Sequence, residues 1–589
     1  MLLPTLLLAT CAGALYFRSL PAPFVFDDLP SIVDNTHVRA LWPLSQALGA
    51  PPQSSVAGRP VASLSFALSY AAFGLDPRGW RAVNVALHAL CGLLLFGIAR
   101  RTLIRVTLPA SFPTHARGLA LAIALLWLVH PLATEAVAYV TQRTELLMAA
   151  ALLASVYAAA RGFERERASE SSSPWFGLAI AAVWLGVGAK EVIAAAPPLL
   201  LLYDRAFESG SFASAWLRHR ALHLGAFASW LALAALLLIG PRNATVGFGL
   251  PISAPAYALT QIGVIAWYLR LAVWPAPLVL AHDWPVASGV ADVWPGLCVV
   301  VPLVAATVWA CVRRPQLGFL GAWLFAILAP TSSVVPIVSE IAAERRMYLP
   351  LAAIVAATVL GVYALLRARP PRGALTALAA GAALALASAS ALRLELYRSP
   401  LELWSQVLEV YPTHRLRDRI ESSIAQELAH EGRLADALPH FELAAQLRPS
   451  SAENWANLGR ARLMQGALEA AANALGRAVQ LDPDDAAEHA HLGLALGRMS
   501  RWSEAETELE RALALDPANA NARKTLARVL VHQGEALVMS GDLAGAVPRF
   551  QRAVQLDPGF SAAQQDLGET LMRLQHPRPD PATTGSGRE

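Results

Sequence analysis

Residues 449–483 read PSSAENWANLGRARLMQGALEAAANALGRAVQLDP, and this stretch decides the fold of the C-terminal third of the chain. It begins at Pro449 and ends at Pro483, and the next proline in register is Pro517, so the spacing is 34 residues both times. Each of these prolines follows a leucine by two residues. A proline here stops a helix, because it lacks an amide donor and its ring blocks the next turn. The stretch therefore predicts a helical unit that is repeated along the chain.

Thirty-four residues is the period of tetratricopeptide repeats, in which each unit is a pair of helices. Small and apolar residues recur at matching offsets in two successive units: Trp455, Leu458, Gly459, Leu475 and Ala478, then His489, Leu492, Gly493, Ala505, Leu509 and Ala512. We predict about four units between residues 392 and 575, the last of them lengthened by about two helical turns. Such an array binds a protein or peptide on its concave face. A bracing role or self-association is the alternative.

Residues 1–391 have a different pattern, in which apolar runs alternate with short polar loops. Hydrophobic residues make up 55% of the chain and charged residues only 15%, whereas a soluble domain carries about 25% charged residues. The net charge of +4 gives no reason to expect a nucleic-acid partner. Runs of this length cross a lipid bilayer. We predict eleven spans, at about 2–20, 82–99, 117–133, 144–160, 174–189, 190–205, 221–240, 294–312, 316–332, 347–367 and 373–391.

Arginines mark five loops between these spans, and basic loops face the cytoplasm. They are Arg100, Arg101 and Arg105; Arg161, Arg165 and Arg167; Arg205, Arg218 and Arg220; Arg313 and Arg314; and Arg367, Arg369 and Arg372. All five share one side only if the run at 257–274 is re-entrant or interfacial. The N-terminus is then cytoplasmic, and both the first large loop (21–81) and the repeats lie on the outer face. We expect the first run to be a retained helix, because it has no basic flank, and the tail at 576–589 to be disordered.

Two adjacent acids, Asp27 and Asp28, follow the first span directly. Desolvation and mutual repulsion raise the pKa of at least one such carboxyl group, which suits a general base. The pair could also hold a divalent cation, or it could be an ordinary solvated loop start. On this threading other ionisable groups reach the same outer face: His130, Glu135, Arg143 and Glu145; Lys190 and Glu191; His282 and Asp283; and Glu344, Arg345, Arg346 and Tyr348.

Ionisable groups at membrane depth are costly and usually functional. Their convergence on one face predicts a single outer-leaflet site that is both acidic and basic, although each group taken singly could be a structural ion pair. The adjacent arginines Arg345 and Arg346 suit a phosphate group, which the guanidinium fork binds well. The sequence has no Walker loop and no glycine-rich loop after a strand. This argues against nucleotide-driven transport and cytosolic nucleotide-sugar chemistry.

Several of these stretches together resemble one family. FVFDDLPSIVDNTHV (24–38), HPLATEAVAYVTQRTELLMA (130–149), GAKE (188–191) and AERRMYLP (343–350), followed by the repeats, are similar to the transmembrane and tetratricopeptide-repeat-containing proteins. The resemblance implies an all-α chain, with a polytopic GT-C glycosyltransferase domain at 1–391 and the repeat solenoid at 392–575. It also implies transfer of a sugar, mannose in the animal members, from a polyprenyl phosphate as co-substrate to a protein Ser or Thr.

Carried over, the resemblance makes Asp27 or Asp28 the base that deprotonates the acceptor, and Lys190, Arg345 and Arg346 the groups that hold the lipid phosphate. The remaining outer-face groups are assigned to the sugar or acceptor site: His130, Glu135, Arg143, Glu191, His282, Asp283, Glu344 and Tyr348. The alanine- and arginine-rich composition suggests a bacterium, hence an inner membrane, a periplasmic repeat domain and an acceptor that is either protein or envelope glycan. A non-catalytic scaffold is the first alternative. A transporter is the second, and the absence of internal symmetry argues against it.

Overall fold

The structure is a computed structural model that describes residues 2–51, 54–106, 111–239, 246–247, 251–333, 335–366 and 373–576. In this described part the regular structure is helical, and an isolated bridge between Val246 and Ile337 is the only β pairing. The predicted all-α fold is therefore confirmed. The chain divides into two compact units, Met1–Tyr411 and Pro412–Glu589. The basic loop at Arg367, Arg369 and Arg372 and the tail from 577 onward lie outside the described residues.

The first unit consists of membrane-type helices joined by short loops and single helical turns. Its α-helices in the described residues are α1 (Leu2–Tyr16), α2 (Leu44–Leu48), α3 (Pro60–Phe73), α4 (Pro77–Arg105), α5 (Ser111–Leu128), α6 (Thr134–Ala138), α7 (Arg143–Arg167), α8 (Ser173–Val187), α9 (Ala196–Asp204), α10 (Phe212–Arg218), α11 (Arg220–Phe227), α12 (Ser229–Ile239), α13 (Ala254–Val273), α14 (Val290–Arg313), α15 (Pro315–Leu328), α16 (Pro350–Leu366), α17 (Ala374–Leu396) and α18 (Pro400–Val410).

Seven helical segments of the described chain are long and apolar enough to cross a membrane, which makes this unit multi-pass: Leu2–Ser19, Pro77–Arg105, Val140–Arg167, Arg220–Leu238, Ala254–Val273, Val290–Arg313 and Ala374–Leu396. An eighth candidate bends by 58° between Leu128 and Pro131. The predicted spans at 174–189, 316–332 and 347–367 correspond to the shorter helices α8, α15 and α16. The predicted span at 190–205 is a 3-10 turn, Glu191–Ala195, followed by the nine-residue α9. The total of eleven crossings stays a prediction.

Helix α13 occupies the ambiguous run at 257–274. It is continuous and long enough to cross the bilayer. Its side chains Tyr257, Gln261 and Tyr268 are spread over most of its length, yet all three hydrogen-bond the backbone at 331–343, at 2.9, 3.0 and 2.8 Å. These contacts pack α13 along the segment at 331–343. Whether α13 crosses the membrane or lies at its surface stays a prediction.

Four of the five predicted basic loops meet at one end of the helices. Arg101 pairs with Glu164 at 3.2 Å, and Arg105 pairs with Glu208 at 3.1 Å. The Arg205 guanidinium donates to the main-chain carbonyl of Cys311, at the end of α14. The loops therefore share one face, as a cytoplasmic assignment of all of them requires. That this face is cytoplasmic remains a prediction.

The second unit is a solenoid of paired helices in the described part of the chain. They are α19 (Arg417–His430), α20 (Leu434–Leu447), α21 (Ala452–Gln465), α22 (Leu468–Leu481), α23 (Ala486–Arg498), α24 (Trp502–Leu515), α25 (Ala520–Met539), α26 (Leu543–Leu556) and α27 (Ser561–Gln575). Four pairs and a closing helix match the predicted repeat pattern, including the lengthened α25. A Cβ atom on Gly459 would lie 2.6 Å from Leu475, and one on Gly493 would lie 2.5 Å from Leu509. Only glycine lets the paired helices approach this closely.

The boundary between the units follows Tyr411, about twenty residues after the place predicted from composition. Helix α18 lies in the first unit because its apolar face packs there. The Trp404 ring stacks edge-on to Phe26 at 5.4 Å. Arg393 of α17 contacts Gln406 at 3.4 Å. The amphipathic pattern of α18 resembles the repeats, but its partners are membrane-unit residues.

Candidate active site

The loop that holds the two acids lies at the end of the helices opposite the basic loops. A 3-10 turn, Phe17–Ser19, follows α1, and a π-helical turn, Leu29–Val33, follows the acids. Phe26 has a φ of +49°, which is a strained conformation for a residue with a β-carbon. Its ring contact with Trp404 holds it there. Strain of this kind occurs at functional sites, where the surroundings fix it.

Asp28 is completely buried and organises the loop. One carboxylate oxygen accepts a hydrogen bond from the amide of Thr141 at 2.8 Å, and the other accepts from the amide of Val25 at 3.2 Å. Burial raises the pKa of Asp28 to about 6, and the nearby Arg81 guanidinium opposes that shift. Because both of its oxygens face amide donors, Asp28 does not present a second free carboxylate beside Asp27 for a shared cation.

Asp27 is partly exposed, and the charges of Glu340 and Arg345 act on its carboxylate. We call these two residues, together with Glu135, Lys190 and Arg346, the charged cluster. Its main-chain amide donates to the hydroxyl oxygen of Tyr139 at 2.9 Å, and the same hydroxyl hydrogen-bonds the Asp27 carboxylate. Burial and the Glu340 carboxylate raise the pKa of Asp27 to about 6, while Arg345 and the Tyr139 hydroxyl oppose the shift. An accessible carboxyl group with this pKa is ionised at neutral pH and basic enough to take a proton.

Arg345 is the cation at this acid, and it has partners on both sides. It donates to Glu135 through its side chain at 2.6 Å and through its main-chain amide at 2.9 Å. Its other guanidinium nitrogen pairs with Glu340. The Glu135 side chain is 1% exposed, whereas that of Glu340 is 30% exposed. Glu135 is therefore a partner of Arg345 fixed in the interior, whereas Glu340 lies on the solvent-accessible side of the site, which we call the open side.

The other two predicted phosphate-binding groups are also engaged. Arg346 donates to the main-chain carbonyls of Ile341 at 2.9 Å and Glu340 at 2.5 Å, so it shapes its own loop. Lys190 pairs with Glu145 at 2.5 Å, and both side chains are nearly buried. The positive charge of Lys190 still reaches Glu340 and lowers the pKa of that carboxyl group, after Arg345 and Arg346. The three cations surround Glu340, but each already has a partner.

A second polar cluster is centred on Glu344, which is fully buried. Its carboxylate contacts His282 at 2.8 Å, the amide of Val279 at 2.6 Å and Arg393 at 3.4 Å. Asp283 is partly buried beside His282. Glu344 precedes Arg345 in the 3-10 turn Glu344–Met347. His282 and Glu344 therefore fix the backbone that carries Arg345, whereas Asp283 is partly exposed next to them.

The remaining predicted residues have structural contacts. His130 caps the turn at 131–133 and contacts the carbonyl of Ala272 at 3.2 Å. The Tyr348 hydroxyl contacts His88 at 2.7 Å in the interior. Glu191 pairs with Arg59 at 3.0 Å and is one-third exposed. Of these three, only Glu191 is open to a ligand.

Arg143 is fully buried and joins α3, α4 and α7. It donates to the side-chain amide oxygen of Asn84 at 2.8 Å, the Ser69 hydroxyl at 2.7 Å and the main-chain carbonyl of Trp80 at 2.9 Å. Its guanidinium also lies over the ring of Phe66, at 5.2 Å from the centroid. With these donors committed to protein acceptors, Arg143 holds the helices together and does not contact the open side. Its assignment to the sugar or acceptor site does not agree with this geometry.

We expect Arg143→Met to destabilise the membrane unit by about 3 kcal/mol or more, because several buried acceptors lose their donor at once. Thermal unfolding of the purified full-length protein in detergent measures the effect. Arg117→Met is the matched control, since Arg117 is exposed on α5, and it should unfold like the wild type. A stable Arg143→Met protein with altered sugar preference would contradict the structural role.

The sequence analysis did not identify four residues that contact the predicted site residues: Arg81, Tyr139, Glu340 and Arg393. Arg81 is buried and donates to the Ala138 carbonyl at 2.9 Å, which fixes the loop at Asp28 from the other side. Tyr139 lies four residues after Glu135 inside a stretch already singled out, and only its hydroxyl marks it as different. Glu340 lies five residues before Arg345. That short spacing between opposite charges was the available signal.

Tetratricopeptide-repeat families match residues 459–500 and 491–559. Among solved structures, MamA is 23% identical and covers 27% of this chain and 87% of that protein, with a TM-score of 0.23. At that TM-score the likeness adds nothing to the fold assignment.

Curated relatives extend the comparison into the membrane unit. Protein O-mannosyl-transferase TMTC1 of Homo sapiens is 26% identical over 517 residues, which are 77% of this chain and 56% of that protein. Protein O-mannosyl-transferase TMTC4 of Mus musculus is 26% identical over 484 residues, 72% of this chain and 64% of that protein. TMTC1 of Mus musculus is 34% identical over 183 residues, 29% of this chain and 18% of that protein. The chain thus spans about half the length of human TMTC1. These matches confirm the resemblance: over about three quarters of its length the chain is similar to the transmembrane and tetratricopeptide-repeat-containing proteins.

Proposed function

We propose that this protein is an integral-membrane glycosyltransferase. It transfers a sugar, mannose by analogy with the named relatives, from a polyprenyl-phosphate donor to a hydroxyl group on the outer face of the membrane. The acceptor is a protein Ser or Thr, or an envelope glycan. The observation that carries the proposal is the asymmetric acid pair, in which Asp28 is buried against backbone amides while Asp27 is partly exposed beside Arg345.

In the proposed reaction, Asp27 takes the proton of the acceptor hydroxyl as that oxygen attacks the anomeric carbon of the sugar. The bond between the anomeric carbon and the phosphate oxygen breaks, and the lipid phosphate leaves with the electron pair. Arg345 stabilises the leaving phosphate by charge and by its guanidinium fork. The Tyr139 hydroxyl orients the Asp27 carboxylate. The products are the glycosylated acceptor and the polyprenyl phosphate.

Donor binding requires a partner exchange at Arg345. Glu135 is buried and holds one side of the guanidinium, while Glu340 is on a loop and partly exposed. A donor phosphate that displaces Glu340 forms a new ion pair with Arg345. The displaced Glu340 carboxylate moves away, so its negative charge no longer repels the phosphate. Glu340 therefore occupies the phosphate position before the donor arrives, and Lys190 and Arg346 add positive charge around it.

We expect Glu340→Gln to strengthen donor binding about fivefold, because displacing the partly exposed Glu340 carboxylate from Arg345 costs about 1 kcal/mol. Titration of the purified variant with polyprenyl-phosphate mannose, followed by tryptophan fluorescence, measures the affinity. Glu395→Gln is the matched control, because Glu395 is a partly exposed acid near the end of α17 that pairs with Arg398 and Arg18, and the affinity of this variant should not change. Weaker binding in Glu340→Gln would show that Glu340 helps to hold the donor instead of competing with it.

An apolar groove in the membrane unit suits the lipid part of such a donor. It has a volume of about 810 Å³ and is lined by the start of α3, the end of α8 and the middle of α12, including Val61, Trp184 and Leu236. In the sequence Arg59 precedes the lining residue Pro60, and Lys190 follows the lining residue Gly188 by two positions. We propose this groove as the binding site of the polyprenyl chain.

The pH dependence of the transfer rate should follow the ionisation of the Asp27 carboxyl group. The base must be ionised, and its pKa is about 6. Activity should therefore be low at pH 5, rise through about pH 6 and level off above pH 7. Asp28 also has a raised pKa, so its deprotonation can contribute to the same rise in the transfer rate near pH 6. The rate of transfer at saturating donor, measured between pH 5 and 8, checks this. A rate that is flat or that falls across this range would exclude Asp27 as the base.

The repeats would present protein acceptors or partners to the membrane unit, as arrays of this kind do. This role, the periplasmic location and the bacterial inner membrane are parts of the proposal.

The donor class can be tested by thermal stabilisation of the full-length protein in detergent. Polyprenyl-phosphate mannose should raise the melting temperature, and Arg345→Ala should abolish that increase. A water-soluble nucleotide sugar at the same concentration should have no effect. Stabilisation by the nucleotide sugar alone would redirect the proposal to a different donor. No stabilisation by any sugar donor would favour a membrane-anchored repeat scaffold.

A further inference from the structure

Three potential metal ligands meet at the basic end of the helices, away from the acid pair. The Asp204 carboxylate contacts Nδ1 of His219 at 2.6 Å and Nε2 of His223 at 2.9 Å. All three side chains are nearly or completely buried, with His219 5% exposed and the other two 0%. Their ligand atoms lie within 4.8 Å of one another. They come from the end of α9, the junction of α10 and α11, and the first turn of α11.

We propose that Asp204, His219 and His223 bind a divalent transition-metal ion, for which Zn²⁺ is the best fit. Two imidazole nitrogens and one carboxylate oxygen are typical zinc ligands, bound at about 2.0 Å. Tetrahedral geometry at that bond length separates the ligand atoms by about 3.3 Å. The two contacts with Asp204, at 2.6 and 2.9 Å, need to widen by less than 1 Å, and the two histidine nitrogens lie within 4.8 Å of each other. Small side-chain rotations supply such changes. The fourth position is left for water or for a carboxylate oxygen.

The surroundings of the three ligands match those of a built metal site. The Nε2 atom of His219 contacts the Glu166 carboxylate at 2.9 Å, and Asp204 accepts a hydrogen bond from the Ser209 hydroxyl at 2.6 Å. Metal-bound histidines usually donate their second ring N–H to such a carboxylate, which fixes the ring. His223 lies parallel to the Trp216 indole at 6.2 Å. With neutral imidazoles, the charge of Zn²⁺ would be balanced by Asp204 and Glu166.

A proton is the competing explanation. His219 has a carboxylate at each ring nitrogen, so its imidazolium form could hold Asp204 and Glu166 together without any metal. That arrangement leaves His223 with a single partner, because its buried Nδ1 atom has none in the described part of the chain. A single carboxylate oxygen of Asp204 also contacts both histidines. A metal ion uses that crowded oxygen and both imidazoles at once, and it would clamp α9 to α10 and α11.

Metal titration of the full-length protein in detergent tests the proposal without any activity measurement. The protein is first treated with a chelator and exchanged into chelator-free buffer. It is then titrated with Co²⁺, whose visible absorption reports a tetrahedral N/O site. We expect one tight equivalent, displaced by Zn²⁺, and at least tenfold weaker binding in His223→Gln and His219→Gln. His115→Gln is the matched control, because His115 lies on α5 and contacts Tyr363, and it should bind like the wild type.

Two outcomes would overturn the proposal. Folded wild-type protein that binds neither Co²⁺ nor Zn²⁺ would leave the proton-held network as the explanation. Binding that is equally tight in both histidine variants would place the metal elsewhere. Size-exclusion profiles and unfolding temperatures, recorded for every variant, show that the titrated samples are folded. Asp204→Asn is a further variant that keeps the side-chain shape, and it should also weaken binding at least tenfold.

Discussion

Asp27→Asn should lower sugar transfer by about 10²- to 10⁴-fold, the usual contribution of a general base. The amide has the same shape as the carboxylate and still accepts a hydrogen bond from Tyr139, so donor binding and folding should change little. Any residual activity should no longer rise with pH near 6. Transfer rates at saturating donor, together with donor affinity, separate loss of chemistry from loss of binding.

Asp34→Asn is the matched control for this variant, because Asp34 is an exposed acid in the same loop. It should retain full activity. Asp28→Asn should behave differently from both, since its amide nitrogen would face a backbone amide of Thr141 or Val25 and repel it. We expect lower thermal stability together with lower activity. An active Asp27→Asn protein with an inactive, stable Asp28→Asn protein would reverse the roles of the two acids.

Arg345→Ala should be the most damaging single change at the site. It leaves Glu135 buried without its partner, which costs roughly 3–5 kcal/mol of stability. It also removes the cation that stabilises the leaving phosphate, so transfer should be lost in whatever folded protein remains. Thermal unfolding and transfer rate are measured on the same preparation, with Arg398→Ala as the control, because Arg398 is a largely exposed arginine.

The double variant Arg345→Ala with Glu135→Gln separates the two effects. Neutralising Glu135 removes the unpaired buried charge, so most of the lost stability should return. Donor binding and transfer should stay low, because the cation is still absent. A double variant that regains transfer would mean that Arg345 supports the fold only, and the phosphate assignment would be wrong.

The architecture was largely predictable because its signals are local. The 34-residue proline spacing and the small residues at Gly459 and Gly493 fix the helix pairs within each unit. The apolar runs likewise identify most membrane helices. The boundary predicted from composition differs from the division after Tyr411, because the amphipathic pattern of α18 does not reveal which unit it packs against. Only the contact between Trp404 and Phe26, which are distant in sequence, decides it.

The candidate site was predictable as a set of residues but not as a division of roles. Asp27 and Asp28 are indistinguishable in sequence, and their difference arises from Thr141, whose amide lies 113 residues further along the chain. Arg143 and Tyr348 lie near the site in sequence motifs, yet their side chains point into the helix packing. Whether a charged side chain is free or paired depends on such contacts between residues that are distant in sequence. The periodicity of the sequence does not indicate these contacts.

Sugar transfer by the purified full-length protein is the decisive measurement. The donors are polyprenyl-phosphate-linked mannose, glucose and arabinose, and the acceptors are a Ser/Thr-rich peptide pool and an envelope-glycan fraction. We expect transfer from one lipid-linked donor to one acceptor class, with loss of transfer in Asp27→Asn and retention in Asp34→Asn. If the protein binds the donors but neither transfers the sugar nor releases it from the lipid phosphate, it is not a glycosyltransferase of the proposed kind.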